Sequence, residues 1–119
     1  MKNNKKKLAT EQLTLKGDKG QVTVNYGTVK RAALTLRALN HTLRKKLLEM
    51  MQDKGEVMVT ELYKKLKIEQ SVASQHLAIL RRAGIVVTRR EGKCIYYSTN
   101  IKRIAEVMEL AKDLAQEAE

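Results

Sequence analysis

Between residues 60 and 98 the spacing of apolar residues changes twice, and that change leaves few folds open. Leu62 and Leu66 keep helical spacing across residues 61–66, with Thr60 as the expected cap. After a break of a few residues, a second helical pattern covers residues 70–83 and stops at Gly84. Strand-rich runs then follow at residues 85–90 and 93–98, around Glu91-Gly92, which marks a hairpin. Two short helices joined by a tight turn and followed by a β-hairpin make a winged helix-turn-helix.

The flanks add helices. Val29, Ala32, Ala33, Leu36 and Leu39 recur at helical spacing after Gly27, with Thr28 as the expected cap. Residues 42–52 place Leu43, Leu47, Leu48 and Met51 on one face, and Gly55 ends that helix. A last helix, residues 101–117, carries Ile104, Met108, Ala111 and Ala115 along one side, with Val107, Leu110 and Leu114 beside them. The expected fold class is therefore mainly α, with about five helices and one hairpin wing. The chain has no Pro, Phe or Trp, so its core must come from Leu, Ile, Val, Met and Ala. Residues 1–20, with six lysines against two acids and glycines at 17 and 20, are expected to be a flexible basic arm. Residues 21–119 form the expected domain, opening on a short strand at residues 21–26.

Charge points to the partner. The 119 residues carry 24 Lys and Arg against 13 Asp and Glu, a net +11. Residues 59–93 hold eight basic residues against three acids, whereas residues 101–119 hold three against five. The basic excess thus sits on the motif. On the helix at residues 70–83, Ala73, His76, Leu77, Leu80 and Ala83 form the packed side, with Val72 and Ile79 at its margin. Gln70, Ser71, Ser74, Gln75, Ala78, Arg81 and Arg82 form the other side, which has no acid. Gln can pair with adenine, Arg with guanine, and Ala can touch a thymine methyl in the major groove. A merely solvated polar face is the alternative for this helix taken alone. Arg89, Arg90 and Lys93 at the hairpin tip favour DNA, because a basic turn beside a groove-reading helix reaches flanking phosphates. The last helix, being acidic, needs another task. Its apolar stripe can pack on its own core; the expectation is that it pairs with the first helix and their symmetry mates in a homodimer that reads a palindrome.

The run TELYKKLKIEQSVASQHLAILRRAGIVVTRREGKCIYYS, residues 60–98, resembles the ArsR family of winged-helix transcriptional repressors. The matching elements are Glu61-Leu62 with Leu66, Gln70-Ser71, Ser74 with His76-Leu77, Leu80-Arg81, Ala83-Gly84, Arg90-Glu91-Gly92 and Tyr96-Tyr97. Upstream, ALNHTLRKKLLEMM at residues 38–51 is similar to the family's second-helix segment, with Arg44 at the expected arginine. The resemblance covers about 80 residues. It implies a dimeric repressor that leaves its operator on a signal, and the sequence names no effector. Glu69 stands where a Ser, Thr or Asp cap is usual, and Lys67 where glycine is common.

The metal sensors of that family need ligands this chain lacks. Residues 59–66 hold no cysteine, and residues 101–119 hold neither His nor Cys. Glu106, Glu109 and Asp113 share a face, but carboxylates alone suit transition metals poorly. No metal and no cofactor is expected. The lone Cys94 excludes an intrachain disulfide and fits a cytoplasmic setting. No apolar run approaches the ~20 residues of a membrane span. No nucleophile triad, phosphate loop or paired carboxylates suggest an enzyme. Two other readings stay open: a winged helix that contacts protein, and an architectural nucleic-acid binder acting through its basic arm.

Overall fold

The computed structural model describes residues 11–117; residues 1–10 of the expected arm lie outside them. Ten elements follow in order: β1 (Gln12–Gly17), β2 (Gly20–Asn25), α1 (Tyr26–Leu39), α2 (Thr42–Lys54), β3 (Val57–Met58), α3 (Val59–Leu66), α4 (Gln70–Arg82), β4 (Val86–Glu91), β5 (Cys94–Thr99) and α5 (Ile101–Glu117). They fall into two compact units divided after Leu34, within α1.

The first unit corrects the sequence reading. Residues 12–17, expected in a flexible arm, form β1, and the expected boundary at residue 20 falls inside a β-hairpin. The physical reason is a cross-strand match hidden among lysines. Leu13 faces Val24 and Leu15 faces Val22, while Thr14 and Thr23 share a hydroxyl hydrogen bond of 3.0 Å on the other side. The strand expected at residues 21–26 is β2, one residue earlier. The helix begins at Tyr26 rather than after Gly27. Its cap is not Thr28: Thr28 N–H donates to Asn25 Oδ1 at 3.0 Å.

The second unit holds the core. Leu47, Met51, Val57, Leu62, Leu77, Leu80, Ile85, Val86 and Val107 are buried together, contributed by α2, β3, α3, α4, β4, the Ile85 turn and α5. No aromatic ring is fully buried among them, although Tyr97 packs against the cluster from its edge. His41 caps α2, its Nδ1 accepting from Leu43 N–H at 3.1 Å, and Gly55 ends the helix. α3 starts at Val59, so Thr60 lies in its first turn and is not the cap. The Glu61 carboxylate takes the exposed donor instead, accepting from Met58 N–H at 3.3 Å.

Strand order is β3-β5-β4, all antiparallel. β3 has two residues, too few to show an alternation. The wing strands sit one residue later than expected, and the turn is Gly92-Lys93 rather than Glu91-Gly92. Gly92 has φ +62 while Lys93 is not positive, which is the type II′ demand for glycine at the first central position. Asn100 fastens the sheet to α5: its amide donates to Gly84 O at 3.1 Å and its Oδ1 accepts from Arg103 N–H at 3.2 Å.

The turn between α3 and α4 stores strain. Lys67 is the one non-glycine residue with positive φ among the described residues, at φ 57 and ψ 45. Its side chain is exposed, so replacement forfeits little packing. Lys67→Gly should stabilise the fold by about 0.5–1 kcal/mol, the relief of left-handed strain exceeding the entropy glycine adds to the unfolded chain. Lys67→Val should destabilise it. Thermal unfolding of the three proteins checks both.

Candidate nucleic-acid interface

α4 is amphipathic in the manner its sequence requires. Ala73, Leu77 and Leu80 are buried, and Val72, His76 and Ile79 are half-buried beside them. Gln70, Ser71, Ser74, Gln75, Ala78, Arg81 and Arg82 are all exposed. The helix carries no carboxylate, so nothing on it repels a polyanion. Ser74, Ala78, Arg81 and Arg82 come together with Leu77 and with Tyr97 of β5 along one groove between helix and sheet. Gln70, Ser71 and Gln75 share the exposed side of the helix outside that groove.

The wing residues divide. Side chains alternate across a strand, so Arg89 and Arg90 point to opposite faces of β4. Arg90 belongs to the face of Thr88 and Tyr97, which faces the core and α4; it is exposed near the tip, as is Lys93 in the turn. Arg89 belongs to the opposite face and is occupied. Its Nε and Nη2 each lie 2.9 Å from one Glu56 oxygen, its Nη1 lies 2.8 Å from Glu91 Oε2, and its guanidinium sits 4.7 Å above the Tyr96 ring. Those bonds hold the Glu56 carboxyl below its ordinary range and push Arg89 further above its own. The sequence groups Arg89 with Arg90 and Lys93 at a basic tip and does not announce Glu56, which lies 33 residues earlier and gives no local signal.

Beneath α4 lies a second feature the spacing did not show. Arg44, only 6% exposed, donates from Nε to Ala38 O at 2.7 Å and from Nη2 to Arg37 O at 3.0 Å, both in the last turn of α1. Its Nη1 lies 3.1 Å from His76 Nδ1. Arg44 has only protons to give, so His76 accepts at Nδ1 and is neutral with its proton on Nε2. Burial, and then the neighbouring His41 and Arg44, lower the His76 pKa. The His41 ring lies 4.7 Å from it, centroid to centroid. On α5, Glu109 lies 3.9 Å from Lys112. Among the described residues no three His, Cys, Asp or Glu side chains converge on one point.

Comparison with known proteins identifies the family. The model described as bacterial regulatory protein, arsR family, matches residues 41–88. The transcriptional activator HlyU of Vibrio cholerae is 40% identical over 81 residues, 66% of this chain and 74% of that protein. The chain belongs to the ArsR family. The solved structure of HlyU from Vibrio cholerae superposes with a TM-score of 0.56 at 35% identity, covering 71% of this chain and 92% of that one. The biofilm growth-associated repressor of Agrobacterium fabrum is 43% identical over 77 residues, 65% of each chain. This ArsR-family chain is thus a DNA-binding transcriptional regulator with a winged-helix fold. The family match spans α2, β3, α3, α4 and the first residues of β4, the elements that build and brace the candidate interface.

Burial of His76, with His41 and Arg44 beside it, makes stability pH-dependent. The folded His76 pKa lies below the unfolded value of about 6.5. Its contribution is therefore complete above that value and is lost as pH falls through the folded one. The carboxyls of Glu56 and Glu61, both held low, act only at more acidic pH. Unfolding midpoints should fall between pH 7 and pH 5. His76→Asn, whose Oδ1 can accept the same hydrogen bond, should show a shallower fall over that interval.

Proposed function

We propose that the protein is a repressor that binds a palindromic operator as a homodimer. α4 lies in the major groove, and the Arg90 and Lys93 side of the wing meets the flanking backbone or minor groove. The observation that carries this reading is the acid-free exposed side of α4, with Arg81 and Arg82 beside the wing. Gln75, Ser74 and Ala78 are the base-reading residues; Arg81, Arg82, Arg90 and Lys93 supply charge. Repression needs nothing more than occupation of a promoter, and the relative from Agrobacterium fabrum is named a repressor.

The dimer reading rests on α5 and α1. Ile101, Met108, Leu110 and Leu114 of α5 are exposed by 46–63%, as are Val29 (53%) and Leu34 (48%) of α1. So many large aliphatic side chains on one helix mark an interaction surface. A second copy supplies the matching surface and a second reader about one helical turn along the duplex. The function is binding rather than catalysis, and its place is the cytoplasm, where operator DNA is found. Among the described residues no helix is long and apolar enough to cross a membrane.

Selection from a random duplex library tests the whole reading. A two-fold symmetric site with half-sites about ten base pairs apart is expected. Tight binding without a motif, collapsing with salt, would favour an architectural binder acting through residues 1–20. Gln75→Ala should cost about 1–3 kcal/mol on the selected site and little on unrelated DNA; equal loss on every sequence counts against base reading.

A further inference from the structure

Arg89 spans the whole three-stranded sheet. It leaves β4, crosses the ring of its direct cross-strand partner Tyr96 on β5, and closes a two-pronged bond on Glu56, immediately before β3. Glu91, two residues along β4, takes the remaining prong. An exposed ion pair usually contributes little; a bidentate arginine fork that also rests on an aromatic face is the geometry that does hold position. Glu56 follows Gly55, the φ +87 residue that ends α2, and precedes Val57, which is fully buried. The carboxylate is thus mounted on a short segment fixed at both ends. β4 is tied across β5 to the residue that leads into β3, on the face opposite Arg90.

We propose that Arg89 is a positioning residue, clamped by Glu56 so that the wing presents Arg90 and Lys93 to DNA at a fixed angle, and that it is not itself a phosphate contact. The proposal rests on the reading of α4 and the wing as the DNA interface. A guanidinium already carrying two carboxylates has little net charge left to offer a phosphate. The carboxylates would also have to be stripped away before it could do so. Arg90, with no ion pair among the described residues, is free to make the contact.

The two roles predict opposite signs at Glu56. Removing a negative charge near a polyanion, and freeing an arginine, tightens binding if Arg89 contacts phosphate. If Arg89 is a clamp, Glu56→Gln weakens binding. The experiment measures affinity of the full chain for one duplex carrying its selected site, across a salt series, for Glu56→Gln, Arg89→Ala, Arg89→Lys and the double variant Glu56→Gln with Arg89→Ala. Gln75→Ala and Arg90→Ala serve as references, and unfolding midpoints show that each variant is folded. Expected are about fivefold losses for Glu56→Gln and for Arg89→Ala, no further loss in the double variant, and an unchanged salt slope. Arg89→Lys should do as badly as Arg89→Ala, since an ammonium keeps the charge but cannot form the fork. Arg90→Ala should lower the slope by about one. Tighter binding by Glu56→Gln, or a slope lowered by about one in Arg89→Ala and retained in Arg89→Lys, overturns the clamp. Unchanged binding by both reference variants overturns the interface reading itself, and the clamp falls with it.

Discussion

The buried guanidinium of Arg44 is the constraint around which the DNA-reading half of the molecule is arranged. A cation withdrawn from water costs several kcal/mol unless acceptors meet it, and three of the five guanidinium N–H groups of Arg44 find one. Among the described residues no carboxylate hydrogen-bonds to it. Compensation comes instead from the carbonyls of Arg37 and Ala38, the negative end of the α1 dipole, and from the lone pair of His76. Only a planar fork reaches these three acceptors from one stem on α2, so lysine could not replace it. The cost of burial is thereby converted into geometry. The end of α1, the start of α2 and the middle of α4 are held by one side chain, and each would have to move if any of them did.

That fastening leaves the outer side of α4 without structural duty. Leu77, Leu80 and Ala73 fill the core and His76 takes the polar tie, so Gln75, Ser74 and Ala78 pack against nothing essential. They are free to be chosen for base edges. The wing follows the same division in strand form. Its period of two sends Arg89 to the face that ties the sheet together and Arg90 to the face shared with Tyr97. Neighbouring arginines of the same charge therefore do different work, and only their parity along the strand distinguishes them.

How much of this the sequence disclosed depends on how far apart the partners are in the chain. The helix-turn-helix and wing were legible because each depends on neighbours three, four or two residues away. Lys67 was noticed only as a departure from the glycine common in the family, and its left-handed backbone came with the structure. Element ends moved by one to three residues because caps were supplied from outside the expected position: Asn25 for Thr28, and Glu61 reaching back to Met58. The Arg89–Glu56 fork and the Arg44–His76 bond span 33 and 32 residues, so no local pattern announces them. In the arm at residues 12–20 lysines and glycines suggested flexibility, while the stabilising fact was a cross-strand match that requires the partner strand to be known.

The ends of the chain were harder to read than its middle for a deeper reason. Residues 41–88 mostly belong to elements that complete their packing against one another, and the buried side chains come almost entirely from this stretch. The hairpin before α1 does not. Its paired Leu13, Leu15 and Val22 remain 44–59% exposed, and a two-stranded hairpin with an uncovered apolar face is marginal by itself. α5 likewise buries Val107 but leaves Leu110 and Leu114 at 60% exposure or more. Such segments carry an apolar periodicity that burial in the described residues does not account for. Apolar alternation before α1 and an overlong apolar stripe on α5 could not be read from burial alone, because their apolar side chains do not finish in the core that residues 41–88 build.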